Sequence, residues 1–204
     1  MKKLISLIIL FSVSFVFAQK TTPNYYPLQV GDQWTYKMPV EGTDRNDEQT
    51  IRVTEYSDEY KSYIVRTIFK MGDALPITID DLFEPRGNKI LWLGTSGGLL
   101  NSDWSFFSRP VFQTPLKIKS TWRQRDDRNT EYTVVSFITL KVESGTFKNV
   151  CKIKKSVKGL DMQSFLYFAP EVGLIKEELI NSNDGTTTTF RELTNFKEGK
   201  DVSH

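Results

Sequence analysis

The sequence predicts an all-β protein, a single antiparallel sheet curved into a partial β-barrel, and three observations carry that prediction. Apolar and polar residues alternate with a period of two in short runs from Trp34 to Thr194, the pattern of strands with one buried face. Clusters of Gly, Pro, Asn and Asp separate the runs by few residues, too few for the crossovers that parallel pairing needs. Beyond the N-terminus, no stretch keeps apolar residues at helical spacing for about ten residues or more.

The N-terminus reads as a signal peptide over residues 1–18. Lys2 and Lys3 form its positive region, an apolar run follows, and Val16-Phe17-Ala18 offers small residues for cleavage. An apolar run of about 14 residues falls short of the roughly 20 that cross a bilayer, so no transmembrane span is expected in the mature chain. No Cys follows Ala18, so no lipid anchor is expected either. Residues 19–204 are long enough for one well-buried core and read as a single domain. Without Lys2 and Lys3, the 27 basic residues fall to parity with the 25 acidic ones, which gives nucleic acid no concentrated positive face. Cys151 stands alone, so no internal disulfide forms, and its alternation with Phe147, Ile153 and Val157 makes it a buried, inert thiol.

Residues 21–26 are a polar lead-in. Pro27-Leu28 and Gly31-Asp32 then turn the chain into a strand with Trp34, Tyr36 and Met38 on one face. Pro115, Leu116, Ile118 and Trp122 repeat the spacing of Pro27, Leu28, Val30 and Trp34. The chain therefore reads as two duplicated half-sheets, each opened by a strand that a core Trp anchors. A pair of ligand-gripping indoles is the other reading. Residues 39–49 are charged and read as an exposed hairpin loop. Strands follow at 50–56 and 62–70, the second with Tyr63, Val65, Thr67 and Phe69 on one face. Runs 76–84 and 89–93 flank the turn Pro85-Arg86-Gly87-Asn88. The second of these is apolar on both sides and reads as central.

Residues 94–114 lack a clean period and concentrate Trp104, Phe106, Phe107 and Phe112. A loop so long is usually functional, either as a plug in the sheet's concave face or as the rim of a pocket. Trp104, Phe106 and Phe107, with Trp92 from the preceding strand, are the candidate ligand-binding residues. A long strand follows at 131–142, and then runs at 147–157, 174–180 and 186–194. The Thr run that opens the last suits an edge strand.

Gly145-Thr146-Phe147-Lys148-Asn149-Val150 and Tyr167-Phe168-Ala169-Pro170-Glu171-Val172-Gly173-Leu174-Ile175-Lys176 resemble the closing strands of a family of uncharacterised exported bacterial β-proteins. Members typically end in a hairpin of the form Y-aromatic-A-P-G-V-G-L-V-K. The resemblance covers about the last third of the chain and departs at Glu171, where the family usually carries Gly. It implies a curved antiparallel sheet or half barrel, of the lipocalin-like or lipoprotein-carrier-like kind, and it implies no activity.

The chemical inventory is short. His204 is the sole histidine, so a Ser-His-Asp or Cys-His nucleophile has no base and a His-ligated metal site has no ligands. Asp80-Asp81-Glu84 and Asp126-Asp127 are the acidic clusters. Neighbours on a strand face opposite ways, so neither is a close catalytic pair, and both read as solvated surface. No catalytic residue, metal site or cofactor is assigned. The expected function is an exported, non-catalytic binding protein of the cell envelope, periplasmic or extracellular, that takes a lipid or another apolar small molecule. A structural or interaction module docking an envelope protein is the alternative, and a carboxylate-dependent enzyme the third.

Overall fold

The computed structural model describes residues 23–97, 103–124, 130–157 and 162–199. The signal peptide, Asp126, Asp127 and His204 lie outside them. Twelve strands follow one another: β1 (Gln33–Pro39), β2 (Asn46–Ser57), β3 (Ser62–Lys70), β4 (Ile77–Arg86), β5 (Lys89–Gly97), β6 (Ser105–Gln113), β7 (Thr121–Arg123), β8 (Thr130–Val142), β9 (Gly145–Val157), β10 (Met162–Ala169), β11 (Gly173–Ile180) and β12 (Thr187–Lys197). There is no helix among the described residues, and so none long and apolar enough to cross a membrane.

All twelve belong to one antiparallel sheet of order β6-β5-β4-β3-β2-β1-β12-β11-β10-β9-β8-β7. That order is two meanders of six strands, β1–β6 and β7–β12, laddered together where β1 meets β12. Trp34 opens the first and Trp122 the second. At the joint, Trp34 pairs with Phe196 and Lys37 with Glu192. The other two ends, β6 and β7, share no ladder. They come together through side chains, the Phe112 ring meeting Trp122 near edge-on at 6.2 Å. The sheet is a nearly closed barrel with one unladdered seam.

Bulges explain where alternation misleads. Irregularities between Ile90 and Leu91 and between Trp92 and Gly94 reset the phase of β5 against β6. The described residues of the region 94–114 are therefore mainly the end of β5 and the whole of β6, not a long loop, and β5 lies next to the sheet's end rather than at its centre. Asn149, at φ 56°, similarly kinks β9, so Val150 and Cys151 are both fully buried. The last strand is central, not an edge: β12 lies between β1 and β11. Its Thr-rich start runs past the end of β1, whose pairing stops at Glu192, and that overhang keeps the composition of an edge.

Two segments cover the sheet. The β8–β9 hairpin doubles back, because Ser144 N donates to Leu193 O at 3.2 Å and Glu143 N to Glu192 Oε1 at 2.9 Å. Three strands separate β8 from β12 within the sheet, so these bonds require the hairpin tip to fold over it. Val142 and Val150 thereby join Ile175 and Leu193 in one core. The lead-in 23–32 runs inward. Tyr26 packs on Phe83 of β4, Phe112 of β6 and Phe168 of β10, at 6.1, 5.4 and 6.2 Å between ring centres. One ring thus bridges both meanders.

The turn between β10 and β11 holds the lead-in. Val172 N donates to Ala169 O, with Pro170 second and Glu171, at φ 60°, third in the turn. Proline followed by a positive φ is the type II signature, and glycine is its usual third residue. Glu171 occupies that place and bonds twice to the lead-in: its N–H donates to Asn24 O at 2.6 Å, and its Oε1 accepts from Asn24 N at 2.8 Å. Gly173, at φ 87°, lets Pro27 approach, since a Cβ there would stand 3.3 Å from Pro27 Cδ.

Candidate functional site

Between the meanders, beyond Tyr26, lies a cavity of about 380 Å³. Its walls are mostly apolar, with Leu28, Ile51, Val65, Phe69, Ile79 and Leu166 among them. These positions follow from the period of two: Val65, Thr67 and Phe69 of β3 all face inward, the face that their alternation marks.

Charged side chains enter the wall at three places: on the joint side, on the seam side and at Lys155. On the joint side, Arg191 of β12 meets Glu177 of β11, its register partner, through Nε at 2.9 Å and Nη2 at 2.8 Å. Arg191 Nη1 also donates to Gln49 Oε1 at 2.8 Å, across from β12 to β2. Beneath them Tyr36 donates to Leu174 O at 2.8 Å, and burial raises its hydroxyl pKa. This network is buried, and its charges answer each other.

On the seam side the charges are not answered in that way. Asp80 turns outward, where Arg66 holds it through Nε and Nη2 at 2.8 and 2.9 Å. Asp81, its neighbour, turns into the cavity and accepts from Trp92 Nε1 at 3.0 Å. No cation pairs with Asp81 among the described residues. Burial raises its carboxyl pKa; hydrogen bonds from Thr95 and Trp92 pull the other way, and the Asp80 charge adds to the rise. Burial first and the Asp81 charge second also raise the Tyr26 hydroxyl. Arg109 of β6 pairs in register with Trp92 and so shares its face of the sheet, beside the chamber rather than in its lining. Its guanidinium carbon sits 5.9 Å from the Trp92 ring centre and 4.7 Å from that of Phe107. Its Nε is buried without a hydrogen-bond partner. Lys155 of β9 lies elsewhere on the wall.

The four candidate aromatics divide into two groups. Trp92 lines the cavity, and Phe107 backs it edge-on at 4.4 Å. Trp104 and Phe106 cluster instead with Tyr60 of the β2–β3 turn, at 6.0 and 5.7 Å, and Phe106 is 60% exposed. Cys151 is buried and free, its thiol pushed up to about 12 by burial. No group of three or more His, Cys, Asp or Glu that could hold a metal occurs among the described residues.

Several cavity residues escaped the sequence reading. Asp81 was legible through its phase, since it alternates with Ile77 and Ile79. Tyr26 sits in a segment whose polar neighbours hid two adjacent aromatics. Gln49 belongs to a charged stretch that reads as loop, yet β2 begins at Asn46. Nothing local marks Arg191 or Glu177, because only the pairing of β11 with β12 brings them together.

Fold and cavity together define a nearly closed twelve-stranded antiparallel barrel with an internal chamber. No family model matches the chain, and no curated protein matches it significantly. Among solved structures it is similar to a Parabacteroides distasonis protein described as a lipoprotein, with a TM-score of 0.50 and 11% identity over 86% of this chain and 99% of that one. A Bacteroides fragilis protein described as exported, with a YmcC-like fold, aligns at a TM-score of 0.47 and 13% identity over 86% and 100% of the two chains. The first likeness is one of fold; the second adds no argument to it.

Proposed function

We propose that this protein is an exported, non-catalytic binding protein of the cell envelope that takes one largely apolar molecule into the barrel. The observation that carries the reading is the chamber of about 380 Å³, mostly apolar and with few polar groups. Small-molecule sites have this character and run from about 300 to 1,000 Å³. The N-terminal leader pattern and the description of the Parabacteroides distasonis neighbour as a lipoprotein support export. Filling the chamber tests the reading. Wild type should bind a dansyl-labelled fatty acid saturably at one site, and Ile51→Trp or Ile79→Trp should weaken that at least tenfold while thermal unfolding stays cooperative. Absence of saturable binding to wild type, or full binding in filled variants, overturns it.

The exposed Phe106 beside Tyr60 and Trp104 favours a second reading, a face that docks an envelope protein. There, Phe106→Ser would abolish a partner's binding and leave probe uptake unchanged.

A further inference from the structure

This inference rests on the chamber being a ligand site and concerns what that ligand carries. Of the charged groups on the cavity side, Arg191 and Glu177 neutralise each other. Lys155 stands elsewhere on the wall, and two groups of opposite sign, neither in an ion pair, share one indole: Asp81 on the Trp92 N–H at 3.0 Å, and Arg109 over the ring at 5.9 Å. Arg109 forms no ion pair or hydrogen bond among the described residues, and its Nε is buried. An unpaired charge partly out of water is costly unless something supplies the partner. Asp81 accepts from the N–H edge of Trp92 and lines the chamber together with Phe83, the register partner of Trp92. A carboxylate beside aromatic faces is the environment that holds an ammonium group. A guanidinium with free N–H groups is the environment that holds a phosphate or carboxylate.

We infer that the ligand is a zwitterionic single-chain amphiphile, its ammonium at Asp81, its phosphate or carboxylate at Arg109, and its chain in the apolar chamber. A lone anion at Arg109 would face the Asp81 charge, and a lone cation at Asp81 would face Arg109. A zwitterion meets both with attraction. One chain, rather than two, suits a volume at the lower end of the small-molecule range.

Four probes with the same chain separate the terms: dodecylphosphocholine, dodecyltrimethylammonium, dodecyl sulfate and dodecanol, each below its micelle concentration and displacing the dansyl probe. Wild type should prefer the zwitterion at least tenfold over every other head group. Asp81→Asn should erase its advantage over the sulfate, and Arg109→Gln its advantage over the ammonium. If Lys155→Gln, rather than Arg109→Gln, erases the advantage over the ammonium, the assignment of the anion to Arg109 is overturned. Equal affinity for a singly charged head group and the zwitterion overturns the proposal, as does a ranking that survives both substitutions. Dodecanol binding as tightly as the zwitterion overturns it while leaving the apolar chamber standing. Co-sedimentation with phosphatidylcholine vesicles, without binding of the monomeric probe, overturns it in favour of a membrane surface. If no probe displaces the dansyl fatty acid although that acid binds, the head-group assignment alone fails.

Discussion

The joint between β1 and β12 and the seam between β6 and β7 occupy equivalent places in two six-strand meanders, yet they are finished differently. At the joint the strands are laddered and the polar side chains have partners. Trp34 Nε1 donates to Val172 O at 2.5 Å, Tyr36 to Leu174 O, and Arg191 to Glu177 and Gln49. At the seam there is no ladder, β7 has three residues, and Trp122 Nε1 is buried without a partner, as is Arg109 Nε. Among the described residues the other two unpartnered buried side-chain atoms are serine hydroxyls, Ser62 and Ser144, the latter beside β12. The two starting points, alike in their Pro-Leu lead-in and Trp, thus diverge: one side of the barrel is closed by its own hydrogen bonds, and the other keeps polar groups in reserve. Under the proposed function, stability and recognition sit on opposite walls.

The sharpest way to break that comparison is to truncate both anchors. Trp34→Ala and Trp122→Ala should each cost about 3–5 kcal/mol by denaturant unfolding, from lost burial and the cavity left behind. A wild-type midpoint for either variant would remove that residue as an anchor. Phenylalanine separates the two sides. Trp34→Phe strands the half-buried Val172 carbonyl and should cost about 1 kcal/mol beyond the packing loss. Trp122→Phe removes an unsatisfied donor and should carry no such extra cost. Equal losses in the two would mean that the seam is as complete as the joint.

Asp81→Asn tests the reserve on the seam side. Its raised carboxyl pKa means that the folded state holds the proton more tightly than the unfolded chain does. The charged form therefore costs stability above that raised pKa, and the cost lifts as pH falls through it. Asn keeps an acceptor for Trp92 Nε1, so Asp81→Asn should raise the unfolding midpoint at neutral pH. The gain should shrink in acid, and a lower midpoint at neutral pH would show that the charge is structural. The smallest effect belongs to the β10–β11 turn. Glu171→Gly relieves a left-handed non-glycine residue, worth roughly 1–2 kcal/mol, and loses the carboxylate bond to Asn24 N. The net change should stay within about 1 kcal/mol; a large loss would make that bond the main tether of the lead-in.

Much of this fold was legible because alternation is local. Tyr63, Val65, Thr67 and Phe69 announce β3, Gly87-Asn88 announces the β4–β5 turn, and the Pro-Leu phrase before each Trp marks where each meander starts. What was not legible depends on partners far along the chain. A bulge changes phase only relative to a neighbouring strand, so β6 read as a loop. The centrality of β12 comes from pairing with β1, some 160 residues away in sequence (|i−j| = 159 for Thr194 to Thr35), and no local pattern encodes it. The chamber was half visible. Its apolar walls follow from period two, but the Arg191–Glu177–Gln49 network requires knowing which strands meet.

Asp32 has a further consequence, for the order in which the barrel assembles. Its carboxylate accepts from Gln29 N at 2.9 Å and from Gly199 N at 2.8 Å, while Gln29 Nε2 reaches Gly199 O at 3.0 Å. One buried side chain therefore clasps positions 170 residues apart (|i−j| = 170 for Gln29 to Gly199). Within each meander, by contrast, every strand pairs with its neighbour in sequence. Folding rates fall as contacts become less local, because the chain must close a long loop before those contacts form. The meanders are thus the fast units, and the β1–β12 joint is the slow step that unites them. A circular permutant joining residue 199 to residue 23 through a short linker, and opened within 114–120, turns that joint into a local hairpin. Stopped-flow refolding of the permutant should outpace that of the wild type.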